Sequence, residues 1–141
     1  MPIFALIFSL LLSYNTYSQE LNYQNLYINP IQNKPEVIIF YNSINPCETC
    51  DYTINKIISI LRKNYQNQIN AYLINTNTHP SFISPFKLEG PLNLVVIRIS
   101  DHASFGYQKL SNPQSFISDT TSFNQRIITL IDNFLSINSK N

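Results

Sequence analysis

Charged side chains are scarce in this sequence. Lys, Arg, Asp and Glu together make up 12% of its 141 residues, and the formal net charge is +1. No stripe of basic residues is visible, so the electrostatic footprint of a nucleic-acid-binding protein is missing and we expect no nucleic acid among its partners. Hydrophobic residues reach 44% and aromatic residues 13%, which is typical of a globular chain of one-domain length.

Apolar runs long enough to span a membrane are also absent. Residues 3–12, IFALIFSLLL, form a run much shorter than the roughly 20 residues that a spanning helix needs. Thr16 and Ser18 then occupy the minus-three and minus-one positions of a cut before Gln19. This pattern predicts a signal peptide over residues 1–18 and an exported domain, periplasmic or extracellular, over residues 19–141. Because no Lys or Arg precedes the run, a retained anchor or a buried N-terminal strand or helix stays open.

The rest of the chain alternates strand and helix patterns. Residues 36–42, EVIIFYN, are a continuous run rich in β-branched and aromatic residues, which predicts a strand buried on both faces. From Glu48 a helical period begins, and its apolar face is Ile54, Ile57, Ile58, Leu61 and Tyr65. Further strands are predicted near residues 26–29 and at 69–75, 91–100 and 107–110. A last helix is predicted at 122–137, and its apolar face is Phe123, Ile127, Leu130, Ile131 and Phe134. The core order is β-α-β followed by β-β-α, so we expect an α/β domain with a central mixed sheet over about residues 36–137.

Only two cysteines occur, and both lie in the stretch NPCETCD, residues 45–51. A C-x-x-C between a buried strand and a helix is typical of a thioredoxin-like redox motif. Free N–H groups at a helix start stabilise a thiolate, so Cys47 is the predicted nucleophile. Cys50, one turn further on, is within disulfide reach and is the predicted resolving thiol. In an oxidising compartment the pair tends to be a disulfide.

Two other interpretations of the cysteines stay open. The pair is permanently oxidised or vestigial in the first, and the domain is then a non-catalytic module that binds a partner. In the second, the pair binds a metal; two cysteines are only half of a structural zinc set, and His79 and His102, both in predicted loops, would have to complete it. We therefore expect no metal and no other cofactor.

Residues beside the cysteines adjust this chemistry. Glu48 places a negative charge next to the thiolate, which makes Cys47 less acidic, or it simply favours the first turn of the helix. Thr49 can cap the helix or bond locally. Pro46 is unsuited to a helix interior and fits its edge.

Between Val37 and Leu135 the chain resembles the thioredoxin superfamily. More narrowly, it is similar to small exported bacterial thioredoxin-like proteins labelled nitrophenyl compound nitroreductase subunits. The likeness includes the CETC motif, the glycine-containing start of the third core strand and the late segment NPQSFISDTTSFNQRIITLIDNFL. The resemblance implies a thioredoxin-like fold, thiol–disulfide exchange with a protein or a small disulfide, and a redox partner subunit.

The resemblance also assigns residues around the cysteines. In thioredoxin-like folds a proline before the third core strand faces the pair, and Pro91, after Gly90, stands there; both the cis and the trans peptide are open. With Pro46, these residues would contact the substrate. The chain departs from the family in two places: Pro46 replaces the usual tryptophan, and the buried acid that accepts a proton has no match. Counting back from Cys47 reaches Tyr41 and Asn42 instead.

Overall fold

The chain folds around one mixed β-sheet in the computed structural model, which describes residues 23–25, 34–98 and 106–139. The strands are β1 (Tyr23–Asn25), β2 (Glu36–Tyr41), β3 (Asn70–Asn75), β4 (Leu92–Ile97) and β5 (Tyr107–Ser111). The helices are α1 (Cys50–Asn64), α2 (Ile83–Phe86) and α3 (Thr120–Ser139), with 3₁₀ turns at Pro80–Phe82 and Pro113–Phe116. Among these described residues no helix is both long and apolar enough to cross a membrane.

The sheet has five strands in the order β1-β3-β2-β4-β5. β2 and β3 are parallel and are joined through α1, whereas β2 with β4 and β4 with β5 are antiparallel. The predicted α/β class and the central mixed sheet are therefore confirmed. The predicted edge strand near residues 26–29 lies outside the described residues; a short strand, β1, occurs just before it and pairs antiparallel with β3.

Both faces of β2 are buried because other elements pack on both sides of the sheet. Val37 and Ile39 point into a cluster that α1 and α3 cover, and Ile38 and Phe40 point to the other face. That second face is covered by aromatic side chains from the segment after β3, Phe82 and Phe86. This is why a run without alternation predicts β2 correctly.

The helices bury the faces that their periodicity predicts. On α1 the buried residues include Ile54, Ile57 and Leu61, whereas Ile58 is only half-buried. Each such side chain contributes about 1.5–3 kcal/mol when fully removed from water. On α3 the buried apolar residues are Phe123, Ile127, Ile131 and Phe134. α3 begins two residues before the predicted range and ends two residues after it.

The strand directions bring three loops to one edge of the sheet. Tyr41 at the end of β2 is paired with Asn75 at the end of β3 and with Leu92 at the start of β4. The backbone N–H of Asn42 donates to the carbonyl of Pro91 at 3.1 Å. The loop that carries the cysteines and the loop that carries Pro91 therefore meet directly.

Candidate redox site at the disulfide

The loop after β2 is held in place by two asparagine side chains. The Asn42 Oδ1 accepts the N–H groups of Ile44 and Asn45 at 2.9 and 3.2 Å, which folds the loop into a tight turn. Asn75, at the end of β3, accepts the Ser43 N–H at 3.2 Å and donates to the Ser43 hydroxyl at 2.8 Å. The segment that leads to the first cysteine is thus fixed to the sheet.

Cys47 and Cys50 form a disulfide with their Cα atoms 5.1 Å apart. Cys47 is half-buried, whereas Cys50 is only 3% exposed. The backbone N–H of Cys47 points at the Cys50 Sγ at 3.3 Å. An N–H aimed at this sulfur stabilises negative charge on it, so the geometry suits Cys50 as the sulfur that leaves when the disulfide opens.

The helix begins at Cys50, two residues after Glu48, where the sequence pattern predicts its start. Thr49 is the N-cap residue, and its side chain makes no capping hydrogen bond. The Cys47 carbonyl accepts the N–H of Cys50 at 3.2 Å, so residues 47–50 form a separate turn ahead of the helix. The stabilisation of a thiolate by the free N–H groups of a helix start falls off within about one turn. It therefore acts at Cys50 more than the sequence pattern, which assigns it to Cys47, predicts.

The residues between the two cysteines are exposed. Glu48 projects into solvent, and so does Thr49. The Thr49 hydroxyl lies 4.0 Å from the Cys47 Sγ, which agrees with the expected local bond rather than with a cap. Neither residue lines the cavity beside the disulfide.

A cavity of about 250 Å³ opens next to Cys50. Its walls come from the loop after β2, the start of α1 and the start of β4; they are Tyr41, Asn42, Ser43, Pro46, Cys50, Asp51, Ile54 and Pro91. The predicted substrate-contacting residues Pro46 and Pro91 are therefore brought together with Cys50. Tyr41 and Asp51 are cavity residues that sequence reasoning did not assign, although Asp51 directly follows the motif.

The loop before β4 has its shape because of Gly90. Its φ is +76°, and an added Cβ would lie 2.3 Å from the Asn112 Oδ1. This close approach leaves room for glycine alone. No cis peptide bond occurs among the described residues, so the Gly90–Pro91 bond is trans. Gly90 itself does not line the cavity; it positions Pro91 there.

Burial and charge keep the Tyr41 hydroxyl protonated. Desolvation raises the pKa of Tyr41, and the negative charge of Asp51 raises it further. At neutral pH the hydroxyl is therefore a hydrogen-bond donor and a poor base. The one carboxylate that lines the cavity with Tyr41 and Cys50 is that of Asp51, which is exposed.

His79 is buried at the same edge of the sheet. Its Nδ1 lies 2.9 Å from the Thr78 hydroxyl and 3.3 Å from the Asn75 carbonyl, and burial lowers its pKa. Over the ranges that the structure describes, no three His, Cys, Asp or Glu residues are placed to hold a metal ion. His102, the second histidine of the metal interpretation, lies outside those ranges.

No known family model matches this chain, and no curated protein is similar to it. The structure alone therefore describes the class of this protein: it is an α/β domain whose C-x-x-C disulfide lies between the central strand and the following helix.

Proposed function

We propose that the protein is a thioredoxin-like thiol–disulfide oxidoreductase that works outside the cytoplasm. The observation that carries the proposal is the disulfide itself, which joins Cys47 and Cys50 at the junction of β2 and α1 and opens on a cavity bordered by Pro91. The β-α-β unit followed by a β-hairpin and a helix supports a thioredoxin-like topology. The signal peptide predicted for residues 1–18 lies outside the described residues, so export stays a prediction.

The reaction starts from the disulfide that the structure contains. A thiolate of a substrate dithiol attacks the Cys47 Sγ, the more exposed sulfur; a mixed disulfide forms, and Cys50 leaves as a thiolate. The second substrate thiolate then attacks the substrate sulfur of the mixed disulfide, and Cys47 leaves. The substrate becomes a disulfide, the protein becomes a dithiol, and two electrons and two protons have moved to the protein. In the reverse direction Cys47 attacks a substrate disulfide and Cys50 resolves the adduct.

Proton transfer to and from Cys50 needs a group in the cavity. Asp51 borders the same cavity and is open to solvent, so its carboxylate is placed to relay a proton between Cys50 and water. Tyr41, protonated at neutral pH, supplies a hydrogen bond rather than a base. No metal or organic cofactor is needed for this exchange.

Trapping of mixed disulfides tests the proposal. In the Cys50→Ser variant attack by Cys47 is retained and resolution is lost, so reductant-sensitive adducts with partner proteins should accumulate. The matched control is Cys47→Ser, which removes the attacking sulfur and should trap nothing.

A second candidate function is a non-catalytic module that binds a redox partner subunit. The observation that favours it is Tyr41, a hydroxyl with a raised pKa at the place of the expected buried acid. Under this alternative, Cys50→Ser traps no adduct, and both cysteine variants recover the same partner with and without reductant.

A further inference from the structure

Large apolar side chains that face solvent are concentrated beside the disulfide. Of the described large hydrophobic residues, three are exposed: Ile44 at 73%, Tyr52 at 57% and Ile83 at 40%. Ile44 lies three residues before the first cysteine, and Tyr52 lies two residues after the second. Pro46, also exposed, stands between Ile44 and Cys47. We call Ile44, Pro46 and Tyr52 the apolar rim of the disulfide.

The backbone that carries the apolar rim is held in position. The backbone N–H of Ile44 donates to the Asn42 side chain at 2.9 Å. Tyr52 lies in the first turn of α1, and the Lys56 ammonium is 5.8 Å from the centre of its ring. Exposed apolar residues grouped around a reactive group mark an interaction site.

Three exposed carboxylates lie close in sequence to the cysteines or to Pro91. Glu48 lies between the cysteines and Asp51 directly after them, and both are exposed. Glu89, two residues before Pro91, is exposed as well. Lys56 is the single basic residue among residues 42–56, and its ammonium lies over the Tyr52 ring. A partner with positive charge is therefore favoured next to the disulfide, and an anion is repelled.

The size of the cavity points to a polypeptide. Its volume of about 250 Å³ is below the roughly 300–1,000 Å³ of sites that enclose a whole small molecule. The apolar parts of its wall, Ile54, Pro46 and Pro91, suit one inserted side chain. The rest of the partner would lie across the apolar rim outside.

We propose that the substrate of the disulfide is an extended polypeptide segment whose cysteine is flanked by apolar and basic side chains, and that anionic small disulfides such as glutathione disulfide are disfavoured. This inference rests on the exchange activity proposed above. In the assay direction, the Cys47 thiolate of the reduced protein attacks the peptide disulfide and expels one peptide thiolate. Cys50 then attacks Cys47, expels the second peptide thiolate and restores the Cys47–Cys50 disulfide.

The test measures second-order rate constants of the reduced full domain with symmetric peptide disulfides and with glutathione disulfide. Each of the four peptides has two residues that flank its cysteine. The pairs are leucine and lysine, leucine and glutamate, serine and lysine, and serine and glutamate. At low salt the leucine–lysine peptide should react about three- to tenfold faster than the leucine–glutamate peptide. The difference should shrink in 0.5 M salt, where the screening length is only a few ångström.

Variants assign each preference to its residues. Glu48→Gln should reduce the lysine-to-glutamate rate ratio, whereas Asp132→Asn, a charge removal at the far end of the domain, should not. Ile44→Ser should reduce the leucine-to-serine ratio, and Ile83→Ser, the exposed apolar residue of α2, is its control. Equal rates for all four peptides, or glutathione disulfide reacting as fast as the leucine–lysine peptide, would overturn the inference and leave the oxidoreductase intact. No exchange with any probe, together with no adducts of Cys50→Ser, would overturn the exchange activity itself.

Discussion

A buried carboxyl at the start of the central strand makes a sharp prediction about pH. Glu36 is the first residue of β2 and is 5% exposed. Its neighbours across the sheet are Asn70 on β3 and Ile97 on β4, and neither carries a charge. The Asn70 amide donates to the Glu36 Oε1 at 3.5 Å, a long hydrogen bond. Burial raises the pKa of Glu36 to about 7 and outweighs the hydrogen bonds of Asn70 and Tyr72, which lower it.

The sign and size of the effect follow from proton linkage. Between pH 4.5 and about 7 the folded protein keeps the Glu36 proton, whereas the unfolded chain loses it. Raising the pH over this window therefore favours the unfolded state, and the free energy of unfolding falls. The full effect of the shift is about 3 kcal/mol, of which about 2–3 kcal/mol is lost between pH 5 and pH 8.

The perturbation is Glu36→Gln, which keeps the shape and removes the titration. The free energy of unfolding of Glu36→Gln minus that of the wild type should increase by about 2–3 kcal/mol between pH 5 and pH 8. Both values are measured by urea denaturation with the disulfide intact. Glu89→Gln, at an exposed carboxylate, is the matched control and should follow the wild-type curve.

His79 has the opposite effect on the pH dependence of the free energy of unfolding, so the variant has to be compared with the wild type at each pH. Because burial lowers its pKa, the folded protein binds fewer protons there than the unfolded chain, and stability falls as the pH falls through about 6.5. The wild-type curve thus contains two opposing slopes. The difference between the wild type and Glu36→Gln isolates Glu36, and a difference that stays constant from pH 5 to pH 8 would refute the reasoning.

Two further predictions concern the site. Gly90→Ala should lower the free energy of unfolding by about 1–3 kcal/mol, because Gly90 has a positive φ and an added Cβ would meet the Asn112 side chain. The control is Gly106→Ala, where an added Cβ has nothing within 4 Å; it should change the free energy of unfolding by less than about 0.5 kcal/mol. In the reduced protein Cys47 should be alkylated before Cys50, because it is the more exposed sulfur. Mass spectrometry after brief alkylation checks the order. Modification of Cys50 first would reverse the assigned roles.

Much of the fold is predictable from the sequence because hydrophobic periodicity dominates it. The run at residues 36–42 lacks alternation because β2 is central and covered on both faces. The stripes on α1 and α3 are buried as their spacing predicts. The resemblance to thioredoxin-like folds implies that Pro91 faces the cysteines, and in the structure Pro46, Pro91 and Cys50 line one cavity.

Other features depend on tertiary contacts that no local pattern encodes. The pattern places the helix start at Glu48, but the Cys47 carbonyl closes a separate turn, so the helix begins at Cys50. The sequence also gives no sign that Glu36 is buried, since a charged residue at a strand end is ordinarily solvated. Its carboxyl lies against side chains of the neighbouring strand β3, Asn70 and Tyr72, which only the assembled sheet brings beside it.

The position of Glu36 also bears on the chemistry of the sulfurs. It lies five positions before Tyr41, and at about 3.3 Å per residue this puts it roughly 17 Å from the end of β2 that leads to the cysteines. The domain thus has a buried acid with a pKa near neutrality, but at the opposite end of the central strand from the disulfide. Such a group cannot exchange a proton with Cys50 directly. In the proposed exchange, proton transfer therefore falls to the cavity, where Asp51 is the one carboxylate among the lining residues, and the exchange would depend on solvent access to that cavity.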